Sequence, residues 1–247
     1  MKKHLFALTA VAAVMSSPAL AQQDKKPFTM EGGLGFIFTT GNTDTTTINA
    51  SLEAHQELER WSNDYNAEGL YKKETVETDG VEEERTSAQK IFASGQANYK
   101  LDNPDYRLFG FASYEDDRLS NFKYQSTVAA GWNHKLWETD KMAFEYSVGP
   151  GYAFAETQEG EEQNGPIVRG SAAFQWLLSD TAKFTQTVST EVGSDNTKSR
   201  AETALTATIS GNLSLKVSFK VDHNSDVADD VENLDTETAV TLVYNFF

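Results

Sequence analysis

The chain has 247 residues, no cysteine, and 37 Asp and Glu against 21 Lys and Arg, a formal net charge of −16. Without cysteine, neither disulfides nor thiolate-bound zinc can hold the fold. So acidic a chain is repelled by nucleic acid and by anionic lipid headgroups, which excludes both as electrostatic partners.

At the N-terminus, Lys2 and Lys3 precede an apolar stretch, Leu5 to Met15, that is too short to span a bilayer. Pro18-Ala19-Leu20-Ala21 follows with the small-x-small pattern of a cleavage site. Residues 1–21 are therefore expected to be a signal peptide and residues 22–247 one exported domain in a Gram-negative-like envelope. Loss of Lys2 and Lys3 leaves 19 bases against 37 acids, a net charge of −18.

Beyond the signal, no apolar run approaches the ~18 residues of a spanning helix. Alternation with period two recurs instead, which is the signature of strands. It predicts strands over Glu31–Thr39, Thr47–Leu58, Tyr65–Lys72, Ala88–Leu101, Tyr106–Asp117 and Tyr124–Leu136. Six more follow over Met142–Phe154, Val168–Leu178, Ala182–Val192, Ala201–Ser210, Ser210–Asp222 and Thr238–Phe247. In one of them Phe144, Tyr146, Val148, Tyr152 and Phe154 oppose Ala143, Glu145, Ser147, Gly149 and Gly151. Tyr106–Asp117 carries aromatic residues on both faces, so alternation does not orient it. About twelve strands of roughly ten residues suit a tilted crossing of a bilayer.

The connectors sharpen this. Tight turns at Asp102–Asp105, Glu138–Asp140, Ser179–Thr181 and Gly211-Asn212 alternate with longer acidic links at Lys73–Arg85, Asp116–Lys123, Glu156–Pro166, Gly193–Arg200 and His223–Asp235. The expected fold is all-β: a transmembrane antiparallel up-and-down β-barrel of about 12 strands in the bacterial outer membrane, with short periplasmic turns and longer extracellular loops. A closed barrel pairs its last strand with its first, because lipid satisfies no backbone polar group. The Val240, Leu242, Tyr244, Phe246 alternation, running out at Phe247, fits such a closing strand and resembles the signal read by outer-membrane assembly machinery. The alternation favours Phe246 for the lipid-facing register, and the terminal position favours Phe247.

Several segments resemble one family. They are Thr40-Gly41-Asn42-Thr43-Asp44, Arg118-Leu119-Ser120-Asn121-Phe122-Lys123-Tyr124, Asn224-Ser225-Asp226 and Leu242-Val243-Tyr244-Asn245-Phe246, spread over nearly the whole mature chain. The chain is similar to the YdiY-like salt-induced outer-membrane proteins, a family of unknown biochemical function. That resemblance implies an outer-membrane barrel and a link to salt or osmotic stress. It brings no catalytic residues.

The inward face should be polar and mixed in sign: Glu31, Glu53, His55, Glu57, Glu68, Lys90, Lys100, Lys135, Glu145, Arg169, Lys183, Glu191, Glu202, Lys216 and Lys220. Basic residues gather beside the short turns and acids crowd the long loops. Two readings follow, a charge-graded pore and a closed interior whose charges pair with one another. For a pore, Glu53, Glu145, Glu202 and Arg169 are the expected mid-strand lining. Three acids against one base favour modest cation preference, provided salt bridges do not consume the carboxylates. The expected function is a passive channel or an envelope and salt-stress structural protein, non-enzymatic and without a cofactor or metal. Its expected partners are outer-membrane lipid and lipopolysaccharide, the assembly machinery and small ions.

Two alternatives stand beside it. His223 and Ser225 share one strand face, as a base and a nucleophile of a lipid-active hydrolase would. A soluble periplasmic β-barrel binding protein would instead bury Phe144, Tyr152, Trp176 and Phe219. Glu82-Glu83-Glu84 and Asp226–Asp230 lack the spacing and turn glycine of a calcium loop, so they read as solvated loops.

Overall fold

The computed structural model describes residues 27–39, 44–78, 81–118, 120–227 and 232–247. The expected signal peptide, the 40–43 turn, Leu119 and the stretch 228–231 lie outside the described residues. Twelve strands close into one barrel in which each is hydrogen-bonded to its sequence neighbours and β1 meets β12. The first six are β1 (Phe28–Thr39), β2 (Asp44–Glu57), β3 (Trp61–Thr78), β4 (Val81–Lys100), β5 (Tyr106–Asp117) and β6 (Phe122–Glu138). The rest are β7 (Met142–Thr157), β8 (Gly165–Ser179), β9 (Ala182–Gly193), β10 (Thr197–Ser210), β11 (Leu213–Asn224) and β12 (Leu234–Asn245). Every pairing is antiparallel, as an up-and-down barrel requires.

The strands are longer than alternation alone suggested, running from 12 residues in β1 to 20 in β4. The extra length is taken from the acidic links. Lys73–Arg85 is a continuation of the β3–β4 ladder from Lys73–Thr86 up to Thr78–Val81, and Gly193–Arg200 shrinks to a link at 194–196. Polar residues extend the ladders because the backbone pairs whatever side chains it carries, and only within lipid must one face be apolar.

The apolar face points outward. Leu108, Val148, Tyr152, Val168, Trp176, Leu205, Phe219 and Leu242 each keep more than a third of their surface exposed. Phe109 is only 3% exposed, and Ala129, Ile167 and Val243 are likewise buried inside. An apolar outer band around a polar, largely filled interior is the inverse of a soluble core, and lipid is its solvent. The soluble binding-protein alternative needed Phe144, Tyr152, Trp176 and Phe219 inside; the last three are exposed, and Phe144 is half-buried, stacked on the exposed Trp137.

Aromatic rings gather at the short-turn end: Trp61 on Tyr99, Tyr106 on Trp132, and Trp137 on Phe144. Phe28 on Phe247 and Tyr244 on Phe246 complete the group at the chain ends. Phe246 follows Tyr244 and Leu242 on the outward face, and its backbone N–H donates to the Met30 carbonyl at 2.9 Å. The alternation therefore decides the register, and Phe247, beyond the strand, packs on Phe28.

Strand β5 takes the orientation its composition left open. Arg107, Phe109 and Glu115 are buried in the interior, whereas Leu108 and Tyr114 are about half exposed. Between β6 and β7 the ladder is interrupted without a change of register: Ala129 pairs with Gly151 and Trp132 with Val148, and no pair is formed between them. Pro150 has no N–H to give there. The strands approach so closely that a Cβ on Gly149 would lie 2.2 Å from the Ala130 carbonyl oxygen. Glycine at 131 and 149 is what lets the two backbones meet.

Candidate functional site

The twelve strands enclose a polar lumen that is organised in layers. At the short-turn end, His55 Nδ1 lies 2.6 Å from Asp64 and Nε2 3.3 Å from Glu57. Lys100 reaches the same Glu57 at 2.5 Å, and Arg107 stands 4.0 Å from Glu145. Asn98, only 1% exposed, donates to the Ser62 carbonyl at 3.3 Å.

In the middle, two lysines of β11 hold three carboxylates. Lys216 lies 2.9 Å from Glu53 and 3.0 Å from Glu202. Lys220 pairs with Glu68 and stands 3.7 Å from Glu202. A cavity of about 50 Å³ opens beside them, reaching Glu237 of β12 and also Lys90, Phe92, Arg200 and Asp222.

Toward the long-loop end the lumen is crossed. Arg200 of β10 donates through Nη2 to Glu115 of β5 at 2.6 Å and through Nε to Asp222 of β11 at 2.5 Å. Lys90 of β4 sits 3.0 Å from Asp222 and 3.5 Å from Glu115, and Lys198 lies 3.3 Å from Glu115. The Arg200 guanidinium also lies over the Phe92 ring, 4.4 Å from its centroid. In the ring of twelve, β10 and β4 are six strands apart and therefore opposite. On the other side of this crossing a second cavity, also of about 50 Å³, is lined by Gln125, Thr127, Ile167, Glu191, Asn196 and Lys198.

One side of the lumen is packed. Arg169 of β8, 6% exposed, lies 3.7 Å over the Phe111 ring of β5 and 3.4 Å from Glu191. To reach Phe111 it crosses β7 and β6 where they carry Gly149 and Ala129, whose short side chains leave it room. Glu191 also accepts from Thr127 Oγ1 at 2.7 Å.

The four residues expected to line a pore all face inward, but they are not gathered at one level. Glu53 and Glu202 share Lys216, Glu145 sits with Arg107 at the short-turn end, and Arg169 is engaged with Phe111 and Glu191. The crossing itself uses Glu115, Lys198, Arg200 and Asp222, none of them in the expected lining. Their signal was parity: Lys198 and Arg200 match Glu202, and Asp222 matches Lys220. Glu115 lay in the strand whose aromatics concealed its orientation.

Ser225 accepts from the Thr197 N–H at 2.7 Å and donates to Asn196 Oδ1 at 3.2 Å. Among the described residues no hydrogen bond joins it to His223. The same holds for metals: no group of three or more His, Asp or Glu side chains among the described residues is arranged to hold one.

Residues 32–246 match a family described as a protein of unknown function, DUF481. The chain is 30% identical over 238 residues to the uncharacterized protein YdiY of Escherichia coli (strain K12), covering 95% of this chain and 88% of that one. Among solved structures it is similar to an outer membrane channel from Pseudomonas putida F1, with a TM-score of 0.53 and 8% identity over 92% of this chain and all of that one. At that identity the likeness is one of fold.

Proposed function

This chain belongs to the DUF481 family of proteins of unknown function, and we propose that it is a passive, non-catalytic channel of the bacterial outer membrane for small ions and solutes. One observation carries the reading: two cavities with ionised side chains in their walls lie within a barrel whose outer face is apolar, one on each side of the charged crossing. A barrel that served only as an anchor could fill its interior with side chains and leave no cavity, as small barrels do. Ionised walls suit an aqueous content, because charge without water or a partner costs several kcal/mol. The short-turn end faces the periplasm in this reading, the usual arrangement for exported barrels. The outward Phe246 strand is then what the assembly machinery reads, and outer-membrane lipid or lipopolysaccharide is the surrounding partner.

The purified protein in a planar bilayer should give discrete conductance steps in KCl. Folded, heat-modifiable protein that inserts and never conducts ends the channel reading.

A second reading is a closed envelope barrel that supports the cell under salt or osmotic stress. Its supporting observation is the side-chain crossing between β4–β5 and β10–β11. A deletion strain more sensitive to salt, complemented by a protein that does not conduct, would favour it.

A further inference from the structure

We infer that the crossing is a septum, a side-chain gate that holds the two lumen cavities apart and sets what the channel passes. This rests on the channel reading and adds where that channel is shut. The cavity beside Lys216 ends on Lys90, Arg200 and Asp222, and the one beside Glu191 ends on Lys198. Glu115 lies between them, in contact with Lys90, Lys198 and Arg200 at 3.5, 3.3 and 2.6 Å. Among the described residues, the polar groups that close the way are charged side chains fixed by ion pairs.

Arg200 is the pivot. It alone touches both carboxylates of the network and an aromatic ring on the opposite wall. Its planar guanidinium can do all three at once, donating in its plane and stacking through its face, which an ammonium cannot. When Arg200 swings away, Lys90 and Lys198 still face Glu115 and Asp222, two bases against two acids. The open state is therefore charge-balanced, and it joins the cavities into one path.

Wild type, Arg200→Ala, Arg200→Lys and Glu115→Gln should be compared in planar bilayers, each first shown folded by heat-modifiable migration. Wild type is expected to open briefly and with small amplitude. Arg200→Ala should raise the time-averaged conductance several-fold, Glu115→Gln should raise it less, and Arg200→Lys should fall between wild type and Arg200→Ala. A wild type that conducts steadily and an Arg200→Ala that matches it would overturn the septum and leave the channel reading standing. Silence from all four folded proteins would overturn both. If Arg200→Ala does not fold, Glu115→Gln at wild-type conductance is the result that overturns the septum.

Discussion

Arg200 and Glu115 meet at 2.6 Å although they are 85 residues apart and four strands of the ring stand between theirs. A lumen narrow enough for this has its charges paired across open space, and the pairs report on its stability. Three bases and two acids form the network, so the variants are not equivalent. Glu115→Ala leaves Lys90, Lys198 and Arg200 facing Asp222 alone. Removing one partner of a poorly solvated pair typically costs about 3 kcal/mol. Arg200→Ala leaves the charges balanced and should cost clearly less. Urea unfolding in lipid vesicles measures both; an equal loss would show that the lumen is solvated well enough to tolerate unpaired cations.

Gly32 and Phe246 couple at the closing seam. A Cβ on Gly32 would lie 2.8 Å from the Phe246 ring, so the ring covers the bare glycine on the outer face. The seam is short, paired only from Glu31–Asn245 to Leu34–Leu242, whereas β1 and β2 pair from Phe28–Gln56 to Thr39–Thr45. Gly32→Ala should displace the ring and destabilise the barrel by about 1 kcal/mol. Phe246→Ala should destabilise it too, and the double variant should fall short of the sum by about 0.5 kcal/mol or more, because both lose one contact. Strict additivity in the folded fraction at equilibrium would mean that the ring does not rest there.

Ser225 ties the β9–β10 link to the end of β11, as acceptor from the Thr197 N–H and donor to Asn196. Its hydroxyl is occupied structurally and has no base. Ser225→Ala should therefore cost about 1 kcal/mol of stability. No phospholipid or lipid A hydrolysis should be measurable in either protein. Hydrolysis by wild type that vanishes in the variant would restore the nucleophile.

How much of this could be read from the sequence depends on what period two encodes. Alternation identifies a face wherever apolar and polar residues segregate, so β7, β11 and β12 were legible down to which side Glu145, Lys216 and Leu242 take. It fails where both faces suit a barrel: Phe109 and Phe111 fill the lumen while Leu108 and Tyr114 meet lipid, and β5 therefore carried no orientation. It also loses strand ends that rise above the bilayer, where Lys198 and Arg200 look like loop residues. Pairing partners across the lumen are set by barrel closure and strand stagger, which no local pattern contains. That is why the inward charges were legible as a set and the Arg200–Glu115 crossing was not.

Ion preference follows from which lumen acids remain unpaired. Around the cavity beside Lys216 stand Glu53, Glu68, Glu202, Asp222 and Glu237 against Lys90, Arg200, Lys216 and Lys220, five acids to four bases. Glu53 and Glu202, expected to confer selectivity, are held by Lys216, and Glu68 by Lys220. Among the described residues Glu237 has no cationic partner within ion-pair distance, only Lys220 opposite it on β11, so its field is the least cancelled of the five. An unpaired carboxylate beside a narrow aqueous path raises the local cation concentration, and confinement by low-dielectric walls strengthens the effect relative to bulk water. Under a KCl gradient the reversal potential of wild type should therefore show modest cation preference. Glu237→Gln, which makes the lining four to four, should move the reversal potential toward zero. Glu145→Gln, whose carboxylate lies beside Arg107 at the short-turn end, should leave it nearly unchanged. An anion-preferring wild type, or a Glu145→Gln shift larger than that of Glu237→Gln, would place the selective section elsewhere in the lumen.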